Sequence, residues 1–211
     1  MCRGATQIRK YGVQSACPLC RGELPPGPEH LYEKATRLYM ALLRQVERGK
    51  STWDALPTID QHKLNEVIRL WREAAIQGHS KAQSNLGSMY DQGRGVKQDL
   101  SEAFKWYRKA AEQGNAQAQF KLGKKYAFGQ GVKVDYAKAV ELFRKAVVQG
   151  HAESQTTLGK MYAIGIGLKQ DPFEALKLFR KAVEQGEPAA QMDLGNFYAK
   201  GTCVNQDNSE A

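Results

Sequence analysis

Residues 79–114 read HSKAQSNLGSMYDQGRGVKQDLSEAFKWYRKAAEQG, and a step of 36 residues from any landmark in this stretch reaches its counterpart. Gly78 leads to Gly114, Gly150 and Gly186, and Leu86-Gly87 leads to Leu122-Gly123, Leu158-Gly159 and Leu194-Gly195. Tyr90 recurs as Tyr126, Tyr162 and Tyr198, Asp99 as Asp135, Asp171 and Asp207, and Ala103 as Ala139, Ala175 and Ala211. Self-similarity at a period of about 20–50 residues marks a stack in which each unit buries its apolar face only against its neighbours.

Each copy reads as two helices. Ala82, Leu86 and Tyr90 fall four apart on one stripe, and Ala103, Trp106, Tyr107 and Ala110 share a second. Gly93-Arg94-Gly95-Val96 separates them and returns as Gly129-Gln130-Gly131-Val132 and Gly165-Ile166-Gly167-Leu168. Paired glycines predict a tight turn at positive φ, with the Val or Leu plugging the gap between helices. Asp99 with Glu102, and Asp171 with Glu174, match a capping box in which the glutamate reaches back to the N-cap amide. Pro172 sits at the first helical position, where proline is tolerated. Lys138 replaces the glutamate in the second copy, which predicts a weaker cap there. Gly114, Gly150 and Gly186 occupy the place just past a helix end that favours glycine.

Ala118, Leu122-Gly123, Tyr126, Gly129, Gly131-Val132, Asp135, Ala139 and Arg144-Lys145-Ala146 together resemble the Sel-one-like repeat family, a branch of the tetratricopeptide-like helical hairpins. The resemblance covers residues 79–211, with three complete copies and a fourth that stops as its second helix should begin. It implies an all-α fold, a right-handed α-solenoid of stacked antiparallel helix pairs, used as a protein-interaction scaffold rather than as an enzyme.

The 211 residues are 42% hydrophobic and 25% charged, which suits one or two soluble units. No apolar run approaches the length of a membrane span, and Met1–Lys10 lacks the apolar core of a secretory signal, so a cytoplasmic or nuclear protein is the expectation. The formal charge of +9 raises nucleic-acid binding as an alternative. Arg108-Lys109, Arg144-Lys145 and Arg180-Lys181 recur near the end of each second helix, where a cation offsets the helix dipole by about 0.3–1 kcal/mol. Stacking would align them into a basic stripe, but no aromatic platform is interleaved with it, which disfavours nucleic acid.

Residues 1–28 form a segment apart. Cys17-Pro18-Leu19-Cys20-Arg21 is a knuckle in which two thiolates can clasp one zinc ion, and it resembles the last cysteine pair of a RING finger. Cys2 is a third thiolate, but Ala5 stands where its partner would, so the candidate zinc site of Cys17, Cys20 and Cys2 is incomplete without further donors. A RING remnant, a metal-free turn and a redox pair all remain open for this knuckle. The redox option is disfavoured because Pro25, Pro26 and Pro28 follow too closely for the helix that activates such a thiol. An intact RING would imply a ubiquitin ligase that recruits a ubiquitin-conjugating enzyme, with the solenoid selecting substrate.

Residues 29–78 read as an N-terminal helical cap. Leu31, Ala35, Leu38, Leu42 and Val46 share one face up to Gly49. Leu64, Val67, Ile68, Trp71, Ala74 and Ala75 share another, in register with the second helix of a degenerate leading copy. At the other end the fourth copy leaves Leu194 and Tyr198 half covered, which predicts a longer chain or a partner there.

Positions on which the copies agree serve the stack, and those on which they differ are free for recognition. The glycine inside each first helix costs about 1 kcal/mol against alanine, so a close neighbour is expected to require it. The variable face of the first helices carries Asn85 and Ser88, then Lys121, Lys124 and Phe128, then Thr157, Lys160 and Ile164, then Asn196. In tetratricopeptide-like stacks this side is concave. Its basic middle and apolar edges suit an acidic protein segment with an apolar anchor. The glycine turns lack the lysine of a phosphate loop, and His79 and His151 occupy a junction position that is Asn115 and Glu187 in other copies, so no catalytic residue is assigned.

Overall fold

The structure is a computed structural model that describes residues 25–49, 52–53 and 56–199. All regular structure among them is helical: α1 (Pro28–Glu47), α2 (Thr58–Ile76), α3 (Ser80–Gln92), α4 (Leu100–Glu112), α5 (Ala116–Phe128), α6 (Tyr136–Val148), α7 (Ala152–Ile164), α8 (Pro172–Glu184) and α9 (Pro188–Ala199). The residues divide into two compact units, the first ending at Leu86 and the second beginning at Gly87.

In the first unit α1 packs on α2. Leu31, Ala35 and Leu42 of the expected face are buried, Leu38 and Val46 are half-buried, and every apolar residue named on α2 is buried. Trp71 holds the register position of Tyr107, Phe143 and Phe179 and is buried as they are. The leading first helix departs from the repeat. At 20 residues, α1 is longer than the 13-residue α3, and it ends where the first helix of a copy in register would only be starting.

The second unit is a stack of helix pairs with one apolar cluster per joint. Ala103, Tyr107, Ala110, Ala118 and Leu122 form the first cluster, Phe120, Val140, Phe143, Leu158, Met161 and Leu178 the next, and Ala175, Phe179 and Phe197 the last. Each large side chain so buried contributes about 1.5–3 kcal/mol. A Cβ on Gly123 would stand 2.6 Å from the Phe143 ring, one on Gly159 2.8 Å from Phe179, and one on Gly87 2.7 Å from Tyr107. The glycine of each of these first helices is therefore the slot into which the second helix lays its ring. Gly195 has nothing within 4 Å.

The helix ends repeat as faithfully. Gly114, at φ 84°, donates to the Ala111 carbonyl at 3.0 Å while the Asn115 amide donates to Ala110 at 3.1 Å. The same paired bonds close α6 and α8, satisfying carbonyls that a bare helix end would orphan.

The starts of α4, α6 and α8 correct one expectation. Asp99, Asp135 and Asp171 each accept from the amide three residues on, at 2.9, 2.9 and 3.0 Å. The reciprocal half of the box is not made. The amides of the three aspartates donate to the carbonyls of Tyr90, Tyr126 and Tyr162 in the preceding helix, at 2.9–3.0 Å. Glu102 and Glu174 turn instead to Lys105 and Lys177. Lys138 thus removes nothing from its cap, and its ammonium lies 3.1 Å from the Asp135 carboxylate. The Lys138 amide and ammonium together hold the Asp135 carboxyl below the usual carboxylate range.

Glutamines brace the helices within a copy and reach to the copy before. Gln149 Nε2 donates to Gln119 Oε1 at 2.9 Å, and Gln119 Nε2 donates to the Ala111 carbonyl at 3.3 Å. Gln185 repeats the first bond to Gln155 at 2.8 Å. The Gln149–Gln119 and Gln185–Gln155 bonds lie within single copies, whereas the buried Gln119 amide is satisfied by the Ala111 carbonyl of the preceding copy.

Candidate partner-binding face

The variable positions of the first helices lie where a partner could reach them. In the second unit, Ser88, Lys121, Lys124 and Thr157 are half-buried and Lys160 and Asn196 are exposed. Phe128 and Ile164, at the same position in successive copies, are 66% and 67% exposed. Asn85 is half-buried and belongs to the first unit. Thr157 bonds back to the Glu153 carbonyl of its own helix at 2.8 Å, so its hydroxyl proton is already used.

Charge is distributed less evenly than the residue types imply. The Lys160 ammonium lies 2.9 Å from the Asp193 carboxylate of the next copy, which neutralises it. Lys121 and Lys124 have no carboxylate partner among the described residues. Both ammonium groups instead stand 5.6 Å from the centre of the buried Phe120 ring.

Beside them is a cavity of about 280 Å³ lined by Asp91, Lys121, Lys124, Lys125, Phe128 and Gln130. Lys125 is only 2% exposed, bonded to the Asp91 carboxylate and at 3.2 Å to Gln130 Oε1. A buried ammonium is tolerated only with such partners. Nothing in the sequence reading marked Asp91 or Lys125 as functional. The available signal was their departure from the pattern, since one copy later the same two places are Ala127 and Met161. Burial, and behind it the Asp91 carboxylate, raises the Tyr107 phenol well above its ordinary pKa, so it stays neutral.

The recurrent arginines do structural work inside the stack. Arg144 donates to Tyr162 Oη at 2.8 Å and Arg180 to Tyr198 Oη at 2.7 Å, each joining a second helix to the following copy. Lys145 pairs with Glu141 at 2.6 Å. The junction histidines are helix N-caps. His151 Nδ1 accepts from the Ser154 amide at 3.2 Å, as Asn115 Oδ1 accepts from Ala118 at 2.9 Å. With Nδ1 an acceptor, the neutral ring carries its proton on Nε2, 2.9 Å from Gln117 Oε1. Burial holds the His151 imidazole below the usual histidine range.

Among the described residues no group of three or more His, Cys, Asp or Glu side chains is arranged to hold a metal ion. Cys2, Cys17 and Cys20 lie outside the described residues, as does Cys203. No helix among the described residues is long and apolar enough to cross a membrane.

The profile of the Sel1 repeat matches residues 80–115, 116–151, 152–187 and 188–211, in the register of the helix pairs. The chain belongs to the Sel1 repeat family. Sel1 repeat proteins generally act as scaffolds for protein interactions and are typically non-enzymatic. A solved Sel1 repeat protein from Oxalobacter formigenes is 33% identical, with a TM-score of 0.67 over 81% of this chain and 60% of that one. Helicobacter pylori cysteine rich protein B (hcpB) is 27% identical over 61% of this chain and 97% of its own, with a TM-score of 0.49. The protein c5321 of uropathogenic Escherichia coli, a protective antigen displaying an SLR fold, is 24% identical over 94% of this chain and 52% of its own, with a TM-score of 0.42. The chain therefore spans 60% of the length of the Oxalobacter protein and 52% of c5321. Comparison with curated protein sequences gives no match.

Proposed function

We propose that this Sel1 repeat chain is a protein-interaction scaffold that holds a partner on the first-helix face of its second unit. One observation carries the proposal. The shared leucines and alanines Leu86, Leu122, Leu158, Ala103, Ala139 and Ala175 are buried in the stack, whereas Phe128 and Ile164 project from equivalent places at 66% and 67% exposure on a face that is otherwise polar. Exposed large apolar side chains aligned in this way offer anchor points for a partner. Replacing Phe128 by a photo-crosslinking residue in cells is expected to yield discrete protein adducts. The same residue at Phe173, exposed on a second helix, is expected to yield none. Adducts from position 173 alone would reject the face.

The same proposal divides the chain into residues 1–28, a RING-like knuckle and proline-rich spacer, 29–78, a helical cap, and 79–211, the repeat array. Cys17-Pro18-Leu19-Cys20-Arg21 favours a second role, in which a longer parent chain completes a RING, recruits a ubiquitin-conjugating enzyme and presents substrate on the solenoid. Cys2, Cys17 and Cys20 alone do not close a structural zinc site, since they supply three thiolates where four ligands are needed. Metal analysis of the purified chain tests that role. Roughly one zinc per molecule, lost on Cys17→Ser and Cys20→Ser, supports it, and zinc-free protein leaves the scaffold alone.

A further inference from the structure

The cations of the second unit are mostly used internally: Lys125 by Asp91, Lys160 by Asp193, Lys145 by Glu141, and Arg144 and Arg180 by tyrosines of the next copy. Lys97, Lys109, Lys133, Lys169 and Lys181 also lie without a carboxylate at ion-pair distance among the described residues, but none of them lines the cavity beside Phe128. Lys121 and Lys124 stand one turn apart on α5, over the same Phe120 ring, without a carboxylate among the described residues. The floor beside them is electrically balanced by the Asp91–Lys125 pair, so the rim of the 280 Å³ cavity keeps an excess of two positive charges. Phe128 follows one turn after Lys124 and closes the same cavity with an exposed ring.

We infer that this cavity is the docking point for an acidic stretch of a partner protein. Two carboxylates reach the ammonium groups of Lys121 and Lys124, and an adjacent aromatic or branched aliphatic side chain lies against Phe128. The inference rests on the scaffold function proposed above and supplies the chemistry of its partner. Charge complementarity selects the occupant, because two fixed cations beside an apolar surface are matched by neighbouring anionic and apolar side chains on one short segment. Nucleic acid is the poorer match. It needs a cationic track to follow its phosphates, and the ion pairs of Lys125, Lys145 and Lys160 with carboxylates break such a track.

The test is selection from a random dodecapeptide display library on the full chain, on K121E/K124E and on F128D/I164D, after thermal melts and circular dichroism have shown that both variants fold. Peptides enriched on the parent chain are expected to carry paired Asp or Glu beside Phe, Tyr, Leu or Ile. As free peptides they should bind K121E/K124E roughly tenfold or more weaker, and replacing their acids with lysine should restore binding to that variant. Enriched peptides without carboxylates that still require Phe128 and Ile164 would overturn the acidic partner and leave the scaffold face standing. Peptides indifferent to both variants would overturn the inference and the face together. No enrichment, with a single-stranded oligonucleotide bound through Lys121 and Lys124 instead, would replace the acidic protein by nucleic acid. No enrichment and no oligonucleotide binding would remove the docking point.

Discussion

The joint between the first and second repeats and the joint between the second and third share one backbone plan but hold different contents. At the first, Asp91 and the buried Lys125 form an ion pair; at the second, the corresponding residues are Ala127 and Met161, packed with the apolar cluster. The stack accepts either solution because each fills the space and leaves no charge alone. Only the ion pair puts a carboxylate and an ammonium beneath a surface cavity. The repeat plan is thus indifferent to what makes one copy chemically distinct.

Breaking the ion pair should have the largest effect. Asp91→Ala leaves the Lys125 ammonium buried without its carboxylate and is expected to cost about 3–5 kcal/mol in urea unfolding. The double variant D91A/K125M converts the first joint to the content of the second and is expected to recover most of that loss. A double variant as unstable as D91A alone would show that the two joints are not interchangeable.

The helical glycines sharpen the comparison at the next scale. Gly123→Ala drives a methyl into the Phe143 ring and should destabilise by about 1–3 kcal/mol, despite the better helix propensity of alanine. Gly195→Ala, at the same repeat position with open space around it, should instead stabilise by about 0.5–1 kcal/mol. Paired melting curves check the opposite signs, and equal signs would break the account of the ring slot.

The smallest effect separates two caps that look alike. Asn115 caps α5 without titrating, whereas His151 caps α7 through an Nδ1 that must be unprotonated. Burial lowers the His151 pKa in the native state, against the opposing pull of Glu153. The unfolded chain therefore binds the proton more readily. The cap's contribution is present above the ordinary histidine pKa of about 6.5 and is lost as pH falls from there through the lowered native value. A cap is worth about 1 kcal/mol. His151→Asn is expected to flatten that part of the stability–pH curve, and a slope unchanged by the substitution would remove His151 as its source.

Helix pairs, turns and the glycine slot were legible from the sequence because each rests on a residue repeated at a constant step, and repetition averages away local noise. The candidate face was legible only as a set of positions. Lys121, Lys124 and Lys160 look alike along α5 and α7, yet Lys160 is silenced by Asp193, a residue 33 places later. Lys125 reads as one more surface lysine until Asp91, 34 residues earlier, is brought onto it. These two pairings between copies depend on exceptions to the pattern, and exceptions have no periodicity to betray them. The glutamate half of the capping boxes failed for a related reason, although each aspartate makes its bond. Their motif is local, but the amide it should have satisfied was already taken by a tyrosine carbonyl in the preceding helix.

The glutamine chain from Gln149 through Gln119 to the Ala111 carbonyl joins two successive copies, with Gln149 and Gln119 in one and Ala111 in the copy before it. A copy that melts away strands the side-chain amide of its neighbour in an apolar setting, so fraying at one joint weakens the grip of the next. An array wired in this manner should lose its modules in concert rather than one at a time, and a partner clasped on one module would steady all of them.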